Sequence, residues 1–222
     1  MSRGVLITGG MGPSPGYLNI IVHDGDLVCA ADSGLEEALA AGIAVDGVVG
    51  DMDSLSDRSL LDNFPENAVQ RHPGDKDFTD TELGMAWLRS RGCTEIVLTG
   101  GGEGRLDHTL ALLALYKREQ SPQLWYTSRE EIRLLEKSEK ERNFAGQPGD
   151  PVSFFPAGRG PWKIESRGLH WELAHVAWND GLVSLSNRMV SGRVVLKVLS
   201  GCFMMIRPLE AALADKYLTR AF

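Results

Sequence analysis

The first 127 residues alternate between short apolar runs and segments with helical periodicity. Val5-Leu6-Ile7-Thr8, Leu27–Ala31, Val45–Val49 (broken only by Asp46 and Gly47), Glu95–Thr99 and Gln123–Thr127 read as strands. Between them, Leu35–Ala41 is rich in helix formers and stops at Gly42. From Thr81 onward Leu83, Trp87 and Leu88 recur at helical spacing, and Leu110, Leu113 and Ala114 share one helical face. Strands interleaved with helices predict an α/β unit: a mostly parallel, Rossmann-like sheet with helices on both faces. Near residue 128 the pattern changes. Glu131–Leu135, Val152–Phe155, Trp162–Ile164, Leu182–Leu185, Val194–Leu199 and Cys202–Ile206 are short apolar runs punctuated by glycine, proline and asparagine. They predict a smaller C-terminal β-sandwich, with a turn-rich stretch over Asn143–Pro151, a solvated segment over Lys137–Arg142 and a short helix over Leu209–Tyr217. Two domains are therefore expected, over residues 1–130 and 131–222. Trp162, Trp171 and Trp178 are read as core or interface packing.

Composition narrows the function classes. The chain has 222 residues, 43% of them hydrophobic, enough for a packed core. A net charge of −7 argues against a general nucleic-acid binder, which would carry a basic face. Cys29, Cys93 and Cys202 lie far apart in apolar contexts and form no C-x-x-C pattern, so buried free thiols are expected. Met1-Ser2-Arg3-Gly4 leads directly into the first strand, and no apolar run approaches membrane-spanning length. A cytoplasmic protein with no membrane partner is the expectation.

The candidate chemistry lies after the strands. Gly50-Asp51-Met52-Asp53-Ser54 presents two carboxylates one residue apart, able to aim at one point. Converging carboxylates repel unless a cation or proton lies between them, and hard oxygen ligands favour Mg²⁺. The plainer reading is a polar turn whose aspartates cap loop amides. Asp32 also follows a strand, where it suits either ligand binding or, with Ser33, a helix N-cap. A second acidic cluster, Asp75-Lys76-Asp77-Phe78-Thr79-Asp80, precedes a helix. Capping explains one of its acids but not three; Asp77 and Asp80 are candidate metal or substrate ligands and Lys76 a phosphate contact. Thr99-Gly100-Gly101 opens a glycine loop that runs to Arg105, Asp107 and His108 at a helix start, a recurrent phosphate-binding arrangement. Arg105 offers a planar fork to phosphate oxygens. All these motifs fall at the ends of strands, where open α/β sheets bind ligands.

Taken in order, Ala31-Asp32-Ser33-Gly34, Gly50-Asp51-Met52-Asp53-Ser54, Lys76-Asp77-Phe78-Thr79-Asp80 and Gly104-Arg105-Leu106-Asp107-His108-Thr109 resemble the motifs of the thiamine pyrophosphokinase family. Leu185-Ser186-Asn187 resembles the Ser-Asn turn of that family's C-terminal domain. The resemblance implies a homodimer whose α/β domain handles ATP and Mg²⁺ and whose β-sandwich helps to bind thiamine. The implied reaction is thiamine plus ATP giving thiamine diphosphate plus AMP. It implies that Asp51, Asp53 and Asp80 are catalytic, metal-linked carboxylates. Lys76, Asp77, Thr99, Gly100, Gly101, Arg105 and His108 then bind ATP, with Arg105 and Asp107 at the phosphates, and Asp32, Ser186 and Asn187 lie near the substrate. Asp107 and Asp80 both remain open as acceptor of the hydroxyl proton. This chain departs from the family pattern at Ser33, where glycine is common, and at Arg188, where bacterial members often carry Glu. It also has no tryptophan after Trp178. Arg188 keeps alive a related acceptor such as a pterin, and a non-catalytic nucleotide-binding regulatory module is the third reading.

Overall fold

A computed structural model describes residues 2–74 and 77–220, with residues 215–220 described as backbone only. Asp75 and the candidate phosphate contact Lys76 lie outside the described residues. The chain forms two compact bodies. One holds the residues up to Leu110 together with Trp125–Ser128; the other holds Ala111–Leu124 and the chain from Arg129 onward.

The first body contains β1 (Ser2–Thr8), α1 (Pro15–Ile21), β2 (Leu27–Ala31), α2 (Gly34–Ala40), β3 (Gly47–Gly50), β4 (Val69–Arg71), α3 (Asp80–Ser90), β5 (Cys93–Thr99), the start of α4 (Leu106–Leu115) and most of β6 (Leu124–Tyr126). Its strand order is β4-β3-β2-β1-β5-β6. The β3–β4, β2–β3, β1–β2 and β1–β5 pairings are all parallel. The chain winds outward from β1 to β4 and returns to β1's other side with β5. The strand order therefore reverses between β1 and β5, the position at which such sheets open a ligand crevice.

Register explains why helices cover both faces. Leu6, Cys29 and Gly47 are lateral neighbours and so face the same side. On that side α3 packs so closely that a Cβ on Gly47 would lie 2.1 Å from the Trp87 ring. Ala30 and Val48 face the other side, where Leu35 of α2 joins them with Met52, Leu55 and Leu61 in one buried cluster. The periodicity anticipated α2, α3 and α4. It gave no helix at α1, whose first residues, Pro15 and Gly16, are poor helix formers; Pro15 occupies the first turn and Ser14 caps it.

The second body contains β7 (Glu130–Glu136), β8 (Arg142–Ala145), β9 (Pro151–Ala157), β10 (Lys163–Arg167), β11 (Ser184–Arg188), β12 (Arg193–Ser200), β13 (Cys202–Pro208) and α5 (Leu209–Arg220). Antiparallel sheets β11-β9-β13-β7 and β10-β12-β8 enclose one core. Phe154, Phe203 and Met205 come from the first sheet; Phe144, Ile164 and Leu196 come from the second. This is the expected C-terminal sandwich. Two local readings change. The stretch read as turn-rich contributes β8, which pairs with β12 through Arg142–Ala145. The run read as a strand over Leu182–Leu185 is displaced: the strand is Ser184–Arg188, so Ser186 and Asn187 lie within it rather than in a turn. Its pairing with β9 shifts register between Ser184 and Asn187, and Ser186 has φ +54°. That bulge breaks the alternation on which the sequence reading relied.

Candidate functional site

The acid cluster grows out of two neighbouring strand ends. β2 and β3 are in register at Ala31 and Val49, so Asp32 and Gly50 emerge side by side. Gly50 has φ +138°, and a Cβ there would sit 1.9 Å from Asp32 Oδ1, so the position requires glycine. Asp32 Oδ1 accepts from Met52 N at 3.1 Å. Met52 takes the left-handed conformation, φ +62°, and buries its side chain completely among Ala30, Leu35 and Val48. With the middle residue anchored inward, its acidic neighbours come together: ligand oxygens of Asp32, Asp51 and Asp53 lie within 4.8 Å of one another. The plainer capping reading is also partly realised, because Asp53 N donates to Asp51 Oδ1 at 3.1 Å.

Asp80 joins this group from α3. Thr79 and Glu82 form a reciprocal capping box at the helix start. Thr79 therefore supplies the cap, while Asp80 interacts with Asp32. Burial, a hydrogen bond and charge from Asp80, and the charge of Asp51 together push Asp32 up to about 7, against the opposing Met52 N–H. Burial is the largest of these causes. A group of carboxylates that retains a proton near neutrality holds more negative charge than its surroundings balance. Hard oxygens at this spacing fit a hard divalent cation such as Mg²⁺. Asp32 was read from sequence as a substrate contact at the same sheet edge; the structure makes it part of the acid cluster through the β2–β3 register.

At the switch point the loops after β1 and β5 are bonded together. Met11 and Gly102 exchange backbone hydrogen bonds at 2.7 and 3.1 Å, and Gly101 N donates to Gly9 O at 2.9 Å. A Cβ on Gly100 would lie 2.1 Å from Thr8 O. Thr99 is fully buried at the strand end, and its hydroxyl has no hydrogen-bond partner among the described residues. Beyond this loop, Arg105 grips Asp107 through Nε–Oδ1 at 3.1 Å and a terminal nitrogen–Oδ2 contact at 2.6 Å. The pair is exposed, and Arg105 holds the Asp107 carboxyl down at about 2. His108 donates its backbone N–H to Asp107 Oδ1 and is exposed, as is Asp77.

In the second body Asn187 is fully buried and already committed. Its Oδ1 accepts from Trp171 N at 3.1 Å and Arg188 N at 2.9 Å, and its Nδ2 donates to Trp171 O at 2.7 Å. It therefore pins the backbone of Trp171, whose ring is 54% exposed. Arg188 lies 5.5 Å over that ring and His170 packs edge-on at 4.5 Å. Ser186 is exposed, and its N–H donates to Ser153 Oγ at 3.0 Å.

These two bodies are those of a kinase-type transferase. A family model described as thiamin pyrophosphokinase, catalytic domain, matches residues 18–126, and one described as thiamin pyrophosphokinase, vitamin B1 binding domain, matches residues 136–203. The chain belongs to the thiamin pyrophosphokinase family. Thiamin pyrophosphokinase 1 of Caenorhabditis elegans is 27% identical over 170 residues, covering 72% of this chain and 68% of the relative. The fold is shared with the thiamine pyrophosphokinase crystal structure from Bacillus subtilis, at TM-score 0.76 and 22% identity over 94% of this chain and 99% of that one. It is shared also with thiamin pyrophosphokinase from Candida albicans, at TM-score 0.66 and 17% identity over 93% and 89%.

Proposed function

We propose that this chain transfers a diphosphate from ATP to the hydroxyl of thiamine, giving thiamine diphosphate and AMP. The observation that carries the reading is the convergence of Asp32, Asp51 and Asp53 at adjacent strand ends, inside the segment that matches the family's catalytic domain. Thiamine is favoured over a pterin as acceptor because residues 136–203 match a vitamin B1 binding domain. The convergent acids argue against a non-catalytic module, which has no need of mutually repelling carboxylates.

In this reading Asp51 and Asp53, with Asp32 and Asp80 beside them, hold Mg²⁺. The cation would neutralise charge on the transferring phosphates. The chain's own residues supply position and electrostatics, which dominate phosphoryl-type transfer. The glycine loop at Thr99–Gly101 brings backbone close to the triphosphate. Arg105 turns from Asp107 to phosphate oxygens, which is easy because exposed ion pairs contribute little. Lys76, Asp77 and His108 complete the nucleotide contacts. Two acids are placed to accept the hydroxyl proton: Asp107, once Arg105 has turned away from it, and Asp80. Trp171, held by Asn187, presents an aromatic face to the acceptor, and Ser186 borders it. The working form is a homodimer in the cytoplasm. No helix among the described residues is long and apolar enough to cross a membrane.

AMP release from ATP, measured with thiamine, with a hydroxymethylpterin and with neither, tests the proposal. Thiamine-dependent AMP supports it; AMP released only with the pterin, or with no acceptor at all, overturns it. Sedimentation equilibrium of the purified chain tests the dimer, and a monomer at working concentration removes that element.

A further inference from the structure

We propose that Glu36 and Arg58 are positioning residues for the acid cluster, holding the Asp51–Ser56 segment against α2 so that its carboxylates meet at one cation. The inference rests on the metal reading above. Neither residue belongs to the motifs singled out in the sequence, and neither is among the clustered acids.

The geometry is a series of ties between two consecutive strand ends. Met52 N donates to Asp32 Oδ1, and Met52 O accepts from Arg58 Nε at 3.1 Å. Both polar groups of this backbone unit are thus fixed, at a residue whose left-handed φ is costly for a non-glycine side chain. Further along, Ser33 N donates to Ser54 Oγ at 3.2 Å. Ser56 then donates both its N–H and its hydroxyl to Glu36 Oε1, each at 2.7 Å. Those two bonds hold the Glu36 carboxyl below the usual carboxylate range, so it stays a charged acceptor at neutral pH. Two bonds to one ionised oxygen are of the stronger kind.

The cluster needs such ties. Asp32, Asp51 and Asp53 repel one another when no cation is bound, and the segment carrying two of them has no regular secondary structure from Asp51 to Asp57. Repulsion relaxes by moving this irregular segment, not the strands. Glu36, on α2, anchors its far end at Ser56; Arg58 anchors it at Met52, between the two acids. A metal that meets its ligands already gathered loses less free energy in ordering them.

The test is Mn²⁺ binding to the full chain without nucleotide, read by electron paramagnetic resonance, with far-UV circular dichroism as the check on folding. Wild type is expected to bind. Glu36→Ala and Arg58→Met should each weaken Mn²⁺ by on the order of tenfold, as loss of supporting contacts around a metal site does. Glu36→Gln keeps an acceptor oxygen without the charge and should lose less Mn²⁺ affinity than Glu36→Ala. Should Glu36→Ala not fold, Ser56→Ala, which removes only the hydroxyl donor, decides the matter by a smaller loss of the same sign. Wild-type affinity in well-folded Glu36→Ala and Arg58→Met overturns the positioning role while leaving the metal reading intact. Absence of Mn²⁺ binding by wild type overturns both.

Discussion

Asp51 and Asp53 show how much one intervening residue can decide. Met52 points into the core, so its two neighbours must point out, and removing a carboxylate from either leaves the packing untouched. Asp51→Asn and Asp53→Asn are therefore expected to lose turnover by at least about a hundredfold, the scale of removing a group that stabilises transition-state charge. Their thermal midpoints should stay close to wild type. Near-normal rates with Mg²⁺ in either variant would remove the metal role. Asp32 gives a pH signature. Its folded-state value is raised from 3.8 to about 7, so the folded chain keeps a proton that the unfolded chain has released. In metal-free protein the associated stability is fully present below about pH 4 and is lost as pH rises through 7. Asp32→Asn, which retains an acceptor for Met52 N–H, should flatten that part of the midpoint-versus-pH curve. At this scale the sequence reading rests on local patterns. The spacing of Asp51 and Asp53 and the helix-start position of Asp80 are local patterns. Asp32's place at the same sheet edge was legible too; its contact with the other acids was not, because it depends on β2 and β3 being neighbours. Glu36, Ser56 and Arg58 were hidden for the same reason: their partners lie across the fold or around an irregular loop that no periodicity describes.

Elements were legible where one face is apolar and illegible where a local exception overrides the pattern. α3 was plain from Leu83, Trp87 and Leu88, and the sheet beneath it answers the same residues. Gly47 sits where Trp87 crosses β3, and both are buried. Gly47→Ala should destabilise the protein by about 1–3 kcal/mol through overpacking, measured by urea unfolding; a change within about 0.5 kcal/mol would contradict this contact. In the second body, Asn187 replaces a regular ladder with a side-chain link to Trp171. Asn187→Ala leaves the Trp171 N–H and carbonyl without that partner and should cost about 1–3 kcal/mol. It should also shift tryptophan fluorescence, a change that simple loss of stability would not produce below the unfolding transition. The sequence marked Ser186 and Asn187 but set them in a turn. A left-handed residue inside a strand is invisible to a reading based on alternation.

The whole chain joins an α/β body to a β-sandwich, and its two family matches divide along similar lines, at residues 18–126 and 136–203. The change of periodicity near residue 128 lies between the two matched segments. The excursion of Ala111–Leu124 into the second body does not show there, because those residues read as a continuous helix and strand. Ligands that bind only the folded chain must stabilise it. Mg²⁺ with a non-hydrolysable ATP analogue, each at about a hundred times its Kd, should raise unfolding free energy by roughly 2.7 kcal/mol or more, read as a rise in thermal midpoint. No rise with the analogue would count against nucleotide binding.

The kink at Ser186 has a bearing on solubility. β11 is the outermost strand of its sheet, and Leu185 beside the kink is 65% exposed. A straight, greasy border of that sort would invite strands from other molecules to zip alongside. The extra residue spoils the even spacing of donors and acceptors that such zipping requires. The same irregularity that displaced this strand from its sequence reading thus makes the border a poorer template for strands of other copies.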